Sequence, residues 1–408
     1  MTSRYRWVIL GVGAAGAGAF SALRMGLPAL GPALRNAYGL SLPQVGLAFT
    51  AVAVGVMLTL VPWGVLTDRI GERPVMTAGL TGTALALAGT AYAPGYELLL
   101  AGLLAAGMLG ASSTGASGRA VMGWFARSER GLALGIRQMA LPLGGAAASV
   151  ALPHLVGAGG LRGAFLTLAG LCLTAATAAA LLMRDAPPPE RPLPVVPAPP
   201  PMRDRRLWRL GTAGALLVAG QASMLGFIVL FLHDARGLSA ATAAGALAAV
   251  QLIGAGARIV AGRRSDVEGL RIAPMRRIAT RNAALLALTA LLAGGPAAFL
   301  YPALLCTAVS TMTWNGLAFT AAAEISGRAR AGTAMSLQNT ILAVGGALAP
   351  SAFGAVVEAT SWTGAFALLG LSPLAAVLVL RPLVGDEDAR LAERERRLSE
   401  LRPAEATP

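Results

Sequence analysis

The chain has 408 residues, of which 55% are hydrophobic and 13% charged, where ordinary soluble domains carry about a quarter charged residues. All 33 basic residues are arginine, and without a lysine no Walker A phosphate loop can be built. The net charge of +14 collects at the ends of apolar blocks and not on one basic face, which argues against nucleic acid, and the two histidines and two cysteines lie too far apart in sequence for a zinc site or a disulfide framework.

Long apolar blocks with short charged punctuation are membrane composition, and a helix needs about 20 residues to cross the hydrocarbon core. The N-terminal MTSRYRW leads into a run too long for a signal peptide and without a cleavage site, so it opens a first span at 7–34. Further spans are predicted at 42–66, 75–93, 97–125, 131–157 and 163–183. Residues 184–206 are rich in proline and charge and read as an extended, semi-rigid linker. Six more spans follow at 208–232, 239–262, 277–294, 297–323, 332–357 and 361–381, the segment 277–294 being short and opening with Arg277, Arg281 and Asn282. Cys172 and Cys306 fall inside spans and read as buried small residues. The tail 386–402 mixes both signs at helical spacing, for example Glu393 with Arg397, and reads as a solvated helix. Glycine and alanine are abundant in the spans, as close packing of helices in lipid requires. With the N-terminus placed in the cytoplasm, 26 arginines fall on the cytoplasmic side and only Arg35, Arg162 and Arg236 on the other, so both ends are expected inside an inner or plasma membrane.

The second half repeats the first. At an offset of 198, Gly39-Leu40-Ser41 meets Gly237-Leu238-Ser239, and Gly64, Asp68 and Gly71 meet Gly262, Asp266 and Gly269. At an offset of 201, Gly131 meets Gly332 and Gly144-Gly145 meets Gly345-Gly346. An even number of spans separates the copies, so their axis runs along the membrane normal. This layout, together with GVLTDRIGER between spans two and three, resembles the major facilitator superfamily. The loop pattern of that family is met by Gly64, Asp68, Arg69, Gly71 and Arg73, and GRRSDVEG is a degenerate second copy. Pro142, Gly144 and Gly145 match its span-five pattern, although Leu141 stands where the family has glycine. The resemblance implies an all-α membrane fold of twelve transmembrane helices in two six-helix pseudo-symmetric bundles. The expected units are residues 1–183, a linker at 184–207, a second bundle at 208–383 and a charged cytoplasmic tail at 384–408. It also implies that Asp68 reaches the start of span eleven near Gly332 and latches the halves, with Asp266 doing the same near Gly131. A carboxylate suits such a place because free N–H groups and the dipole at a helix start attract negative charge. The alternative is that these residues only mark a positive-inside loop.

Four arginines lie within spans: Arg24, Arg119, Arg137 and Arg258. The last three are roughly 7–12 Å along their helices from flanking arginines, within reach of the interface or of Asp68 and Asp266, and fit a structural or gating role. Arg24 is 11 residues from Arg35, with Pro28 and Pro32 close behind to bend the helix. Its counterpart at offset 198 is Ala222, flanked by Gln221 and Ser223, so an arginine is expected to face an amide across a cavity lined by spans one, four, seven and ten. The other reading of Arg24 is a side chain satisfied by helix carbonyls. None of the 19 acids sits in mid-span, so a cation finds no partner there while an anion finds Arg24. LRMGLPALGPAL is similar to the first span of the cyanate and nitroimidazole branch of the family, and Arg258 is similar in place to the span-eight arginine of monocarboxylate carriers. The expected protein is a monomeric secondary carrier, needing no cofactor, that moves a small anion, alone or with a co-transported proton, by alternating access. Its substrate contacts are expected among Arg24, Gln221, Gln138, Asn315, Gln338 and Asn339. The rivals are an exporter of neutral amphiphilic drugs and a sensor that has lost transport; a membrane enzyme has no nucleophile–base pair or metal set to support it.

Overall fold

The computed structural model describes residues 2–125, 130–184, 201–326 and 331–401, and of Asp68 only the backbone. Every regular element among them is helical. α1 (Thr2–Gly26) passes through a 3-10 turn, Leu27–Leu30, into α2 (Gly31–Tyr38). Pro28 and Pro32 impose that change, since each lacks an amide donor and crowds the preceding turn. α3 (Leu42–Ile70) begins with a capping box: Ser41 Oγ accepts from Gln44 N, and Gln44 Oε1 from Ser41 N. α4 (Glu72–Thr90) and α5 (Tyr96–Trp124) follow. α6 (Arg130–Leu182) is 53 residues long and leaves helical geometry at Gly159 and Gly160, the latter at φ +65°. Asp204 and Ser239 cap α7 (Arg205–Leu230) and α8 (Ala240–Glu268), and α9 (Ile272–Leu292), α10 (Ala297–Thr311), α11 (Asn315–Ser326), α12 (Ala331–Ala359) and α13 (Trp362–Leu401) complete the chain.

Among the described residues, nine helical segments are long and apolar enough to cross a membrane, one of them the 47-residue stretch Ile136–Leu182 that contains the Gly159–Gly160 interruption. Large apolar side chains such as Val61, Leu85, Leu181, Leu291 and Leu378 remain exposed, an arrangement stable only against lipid.

Three features differ from the sequence expectations. The tenth predicted span is broken between α10 and α11. There Thr311 Oγ1 and Thr313 Oγ1 bond back to the carbonyls of Ala308 and Ser310, and Met312 N and Thr313 N bond three residues back instead of four, which ends the α-helix. The tail is helical as expected, but no break sets it apart from the last span, because α13 continues without interruption through Pro373 and Pro382. Cys172 is buried, whereas Cys306 lies on an exposed face of α10.

The repeat reappears as packing. A Cβ on Gly144 of α6 would lie 2.4 Å from the carbonyl oxygen of Gly18, and a Cβ on Gly345 of α12 would lie 2.4 Å from that of Ala215 on α7. Each half therefore brings two backbones into contact at equivalent places, which only glycine permits. Gly144→Val is expected to cost about 1–3 kcal/mol or more through overpacking against backbone that cannot give way. A lowered unfolding temperature in detergent would show it, and an unchanged one would contradict this packing.

The first-half and second-half helices meet at the end that carries Arg35. Thr50 Oγ1 of α3 donates to Ala347 O of α12 at 2.7 Å, and a Cβ on Gly46 or Gly354 would fall within 2.8 Å of the opposing backbone. Phe49 meets Phe227, which belongs to a ring cluster with Phe231, Phe353, Trp362 and Phe366. Arg35 forms an ion pair with Asp234. Toward the other end the helices separate: no residue of α3 from Val56 to Leu66 is buried, nor any of α8 from Gly256 to Arg264. The bundle is shut at the Arg35 end and open at the Asp68 end.

Candidate functional site

Arg24 stands where the open space ends. Its helix is enclosed on three sides: Gly16 meets Met76 and Leu80 of α4, Gly13 meets Ser117 of α5, and Gly18 and Gly26 meet Ala140 and Ala148 of α6. One turn before Arg24, Phe20 packs on Gly110 of α5 and Ser21 Oγ donates to Leu141 O of α6 at 2.7 Å. Arg24 therefore projects between the α5 and α6 contacts of its own helix. Next to it, Met25 O accepts from Gln251 Nε2 of α8 at 3.4 Å, so this level is where the second half reaches across. The Arg24 side chain is exposed although its neighbour Leu23 is fully buried. Among the described residues it makes no hydrogen bond or ion pair. A guanidinium at this depth without a protein partner leaves all of its donors free toward the open space.

The other expected contacts divide. Gln221 and Asn315 come together, Asn315 Nδ2 donating to Gln221 Oε1 at 3.4 Å beside the break after α10. Asn315 Oδ1 and Trp314 Nε1 at the break, and Ser223 Oγ on α7, are buried without a hydrogen-bond partner among the described residues. Gln338 lies about three turns away along α7, donating to Leu210 O at 3.4 Å, and Asn339 is exposed. Gln138 is exposed and accepts from Arg137 Nη1 at 3.0 Å.

The three remaining span arginines have partners. Arg137 is buried and donates to Ser117 Oγ at 2.8 Å and Thr114 O at 2.6 Å, fastening α6 to α5. Arg119 joins Thr67 O to the buried carboxylate of Glu72, with Nε 3.1 Å from Glu72 Oε1, across the turn that holds Gly71 at φ +89°. Arg258 Nε donates to Met312 O at 3.1 Å, supplying a donor to a carbonyl freed by the break. On the loop motif, Arg69 is exposed, Arg73 Nε donates to Ala180 O at 2.8 Å, and a Cβ on Gly64 would meet no neighbouring helix among the described residues. Asp266 pairs with Arg271 at 2.6 Å in its own loop, the halves being apart at this end. The Asp68 side chain and residues 327–330 before α12 lie outside the described residues, and with them the expected latch at Gly332.

Sequence reasoning passed over Glu72, Gln251, Arg281 and Glu358. Gln251 and Glu358 carried a usable signal, an amide alone in an apolar span and an acid closing one. Glu72 and Arg281 gave none, since their partners, Arg119 and the Ser310 and Thr313 hydroxyls, are 28 or more residues distant.

A membrane-crossing bundle built from a repeat, shut at one end with an unpaired charge at the bottom of the open part, has the architecture of a carrier. The chain belongs to the Major Facilitator Superfamily, which it matches over residues 12–350. It is 36% identical over 358 residues to Rv2994 of Mycobacterium tuberculosis, an uncharacterized MFS-type transporter, covering 86% of this chain and 79% of that one. Over 164 residues it is 26% identical to SauU of Cupriavidus necator, a probable sulfoacetate transporter, covering 40% of this chain and 38% of the relative. Its fold matches the inward-facing, unoccupied structure of a bacterial homolog of the human lysosomal transporter Spinster with a TM-score of 0.77 at 17% identity, covering 92% of this chain and 95% of that one. The nucleoside transporter NupG follows with a TM-score of 0.74 at 12% identity, covering 92% and 99%.

Proposed function

We propose that this transporter carries a small organic anion, a carboxylate or sulfonate, by alternating access, and that Arg24 is the group that receives it. The single observation behind the reading is the free guanidinium at the base of the open space. Arginine keeps its charge throughout a cycle and binds carboxylate and similar oxyanions through two parallel N–H donors. Sulfoacetate, the cargo in the name of one relative, carries both a carboxylate and a sulfonate and suits such a partner. Gln221 and Asn315 are the second group of contacts, drawn in as the halves close around the cargo. No mid-span acid is available to carry a proton, so the anion enters either with a proton on its own acidic group or in exchange for another anion.

In this reading the interrupted Ile136–Leu182 segment is two spans, and α4 and α9 supply two more, giving twelve in two six-helix bundles joined by the linker at 184–207. The Asp68 end faces the cytoplasm, a placement that the arginine distribution supports, and Asp68 engages α12 near Gly332 when that end shuts. The drug-exporter reading has less support, because the aromatic cluster around Phe227 is packed on itself in the shut end, away from the open space. Counterflow in proteoliposomes against a panel of carboxylates and sulfonates, with uncharged analogues of equal size, tests the proposal. Saturable exchange of an acid but not of its amide is the expected result; exchange of neutral amphiphiles alone would overturn it.

A further inference from the structure

α3 and α12 cross the gap between the halves in opposite directions, and each has an acid at its C-terminal end. Asp68 stands near the end of α3 and Glu358 near the end of α12. The start of α3 accounts for nearly all of its first-turn amides. Gln44 N is taken by Ser41 Oγ, Val45 N by Ser41 O, and Pro43 has no N–H. The one donor left over is Leu42 N, and it goes to Glu358 Oε1 of the other half at 2.5 Å. The helix dipole adds to the attraction of this carboxylate for the α3 start. Nothing comparable exists at the equivalent start of α8, because the position matching Glu358 at offset 201 is Gly157.

We propose that Glu358 is a latch for the shut end and the alternative to Asp68: each acid binds the first turn of the opposite helix in one state only, so the α3–α12 pair is fastened at one end or the other and never at both. This rests on the alternating-access reading above. While Glu358 holds Leu42, the Asp68 end stays apart, as observed; when the shut end opens, this contact is lost and the Asp68 contact replaces it. The acid therefore sets which face is open and touches no cargo.

The test is double electron–electron resonance on full-length protein in nanodiscs with Cys172 and Cys306 replaced. One spin-label pair at Asn36→Cys and Ala235→Cys reads the shut end, and another at Ile70→Cys and Met335→Cys reads the open end; all four sites are exposed. Glu358→Gln is expected to shift the balance toward a longer first distance and a shorter second one by about tenfold, the scale of a charged hydrogen bond. Glu358→Asp should fall between it and the parent. Leu42→Pro is the complementary variant, removing the donor and keeping the acid. Proline is accepted at the first helical position, and Ser41 at φ −69° and ψ 160° already has the conformation required before it. It should move both distances in the same direction as Glu358→Gln. Unchanged distances in both variants would overturn the latch. If the distances shift while no anion is transported, the latch stands and the anion reading falls. If Arg24 proves essential for anion uptake and the distances stay fixed, the reverse holds.

Discussion

Replacing Arg24 with glutamine is expected to abolish saturable anion uptake while leaving the protein folded. Both halves of that expectation come from the absence of partners. A side chain that holds nothing among the described residues can be removed without opening a network, unlike Arg137, whose loss would take the donor from the Thr114 carbonyl and leave Ser117 Oγ with Ser113 O alone. A side chain that is exposed to the open space and holds no neighbour contributes little to the packing, so the unfolding temperature should be equal or higher. Binding should behave in the opposite way. Losing one member of a desolvated charge pair costs about 2–5 kcal/mol, or roughly 30-fold to several thousand-fold in affinity. Arg24→Lys, with a point charge in place of a planar fork, should retain part of the uptake. Proteoliposome uptake and thermal unfolding, measured on the same preparations, check both parts. Normal uptake by the glutamine variant would remove Arg24 from the site.

Gly46→Val should stop transport for a different reason. A Cβ at Gly46 would lie 2.8 Å from the backbone C and O of Pro350 and from Cα of Ser351, so the clash is with main chain on the opposing helix and no rotamer change relieves it. The shut end could then no longer close, and uptake should fall below detection in protein that still purifies intact. Gly354→Val, aimed at Leu42 and Pro43 across the same seam, should act alike, while Gly11→Ala, with no atom within 4 Å, serves as a neutral control. Retained transport in the Gly46 variant would mean that α3 and α12 need not touch at this level.

Much of this arrangement could be anticipated from residues alone. The predicted starts at 42 and 239 fall within one residue of those of α3 and α8, where Ser41 and Ser239 act as N-caps, a local device satisfied within three residues. The paired glycines at 144 and 345 marked close helix contacts because their spacing repeats. The position of Arg24 was evident because a charge in an apolar run has few explanations. The break after α10 was not, since Thr311 and Thr313 are ordinary in a span until their hydroxyls compete for carbonyls. The seam was also beyond reach: Glu358 meets Leu42 across 316 positions, and no periodicity records such a distance. What was legible is local or repeated; what was hidden depends on how the halves lean together.

The uninterrupted run of α13 has a practical consequence. Forty helical residues measure about 60 Å, twice the thickness of a bilayer core, so the last turns stand clear of the membrane as a stiff mast. Glu387 ties its base to the first amides of α9, Arg271 N at 2.6 Å and Ile272 N at 2.9 Å, so the mast must swing with the helices it is tied to. A fluorophore mounted near its tip would magnify a small tilt of that unit into a displacement large enough to follow in single molecules.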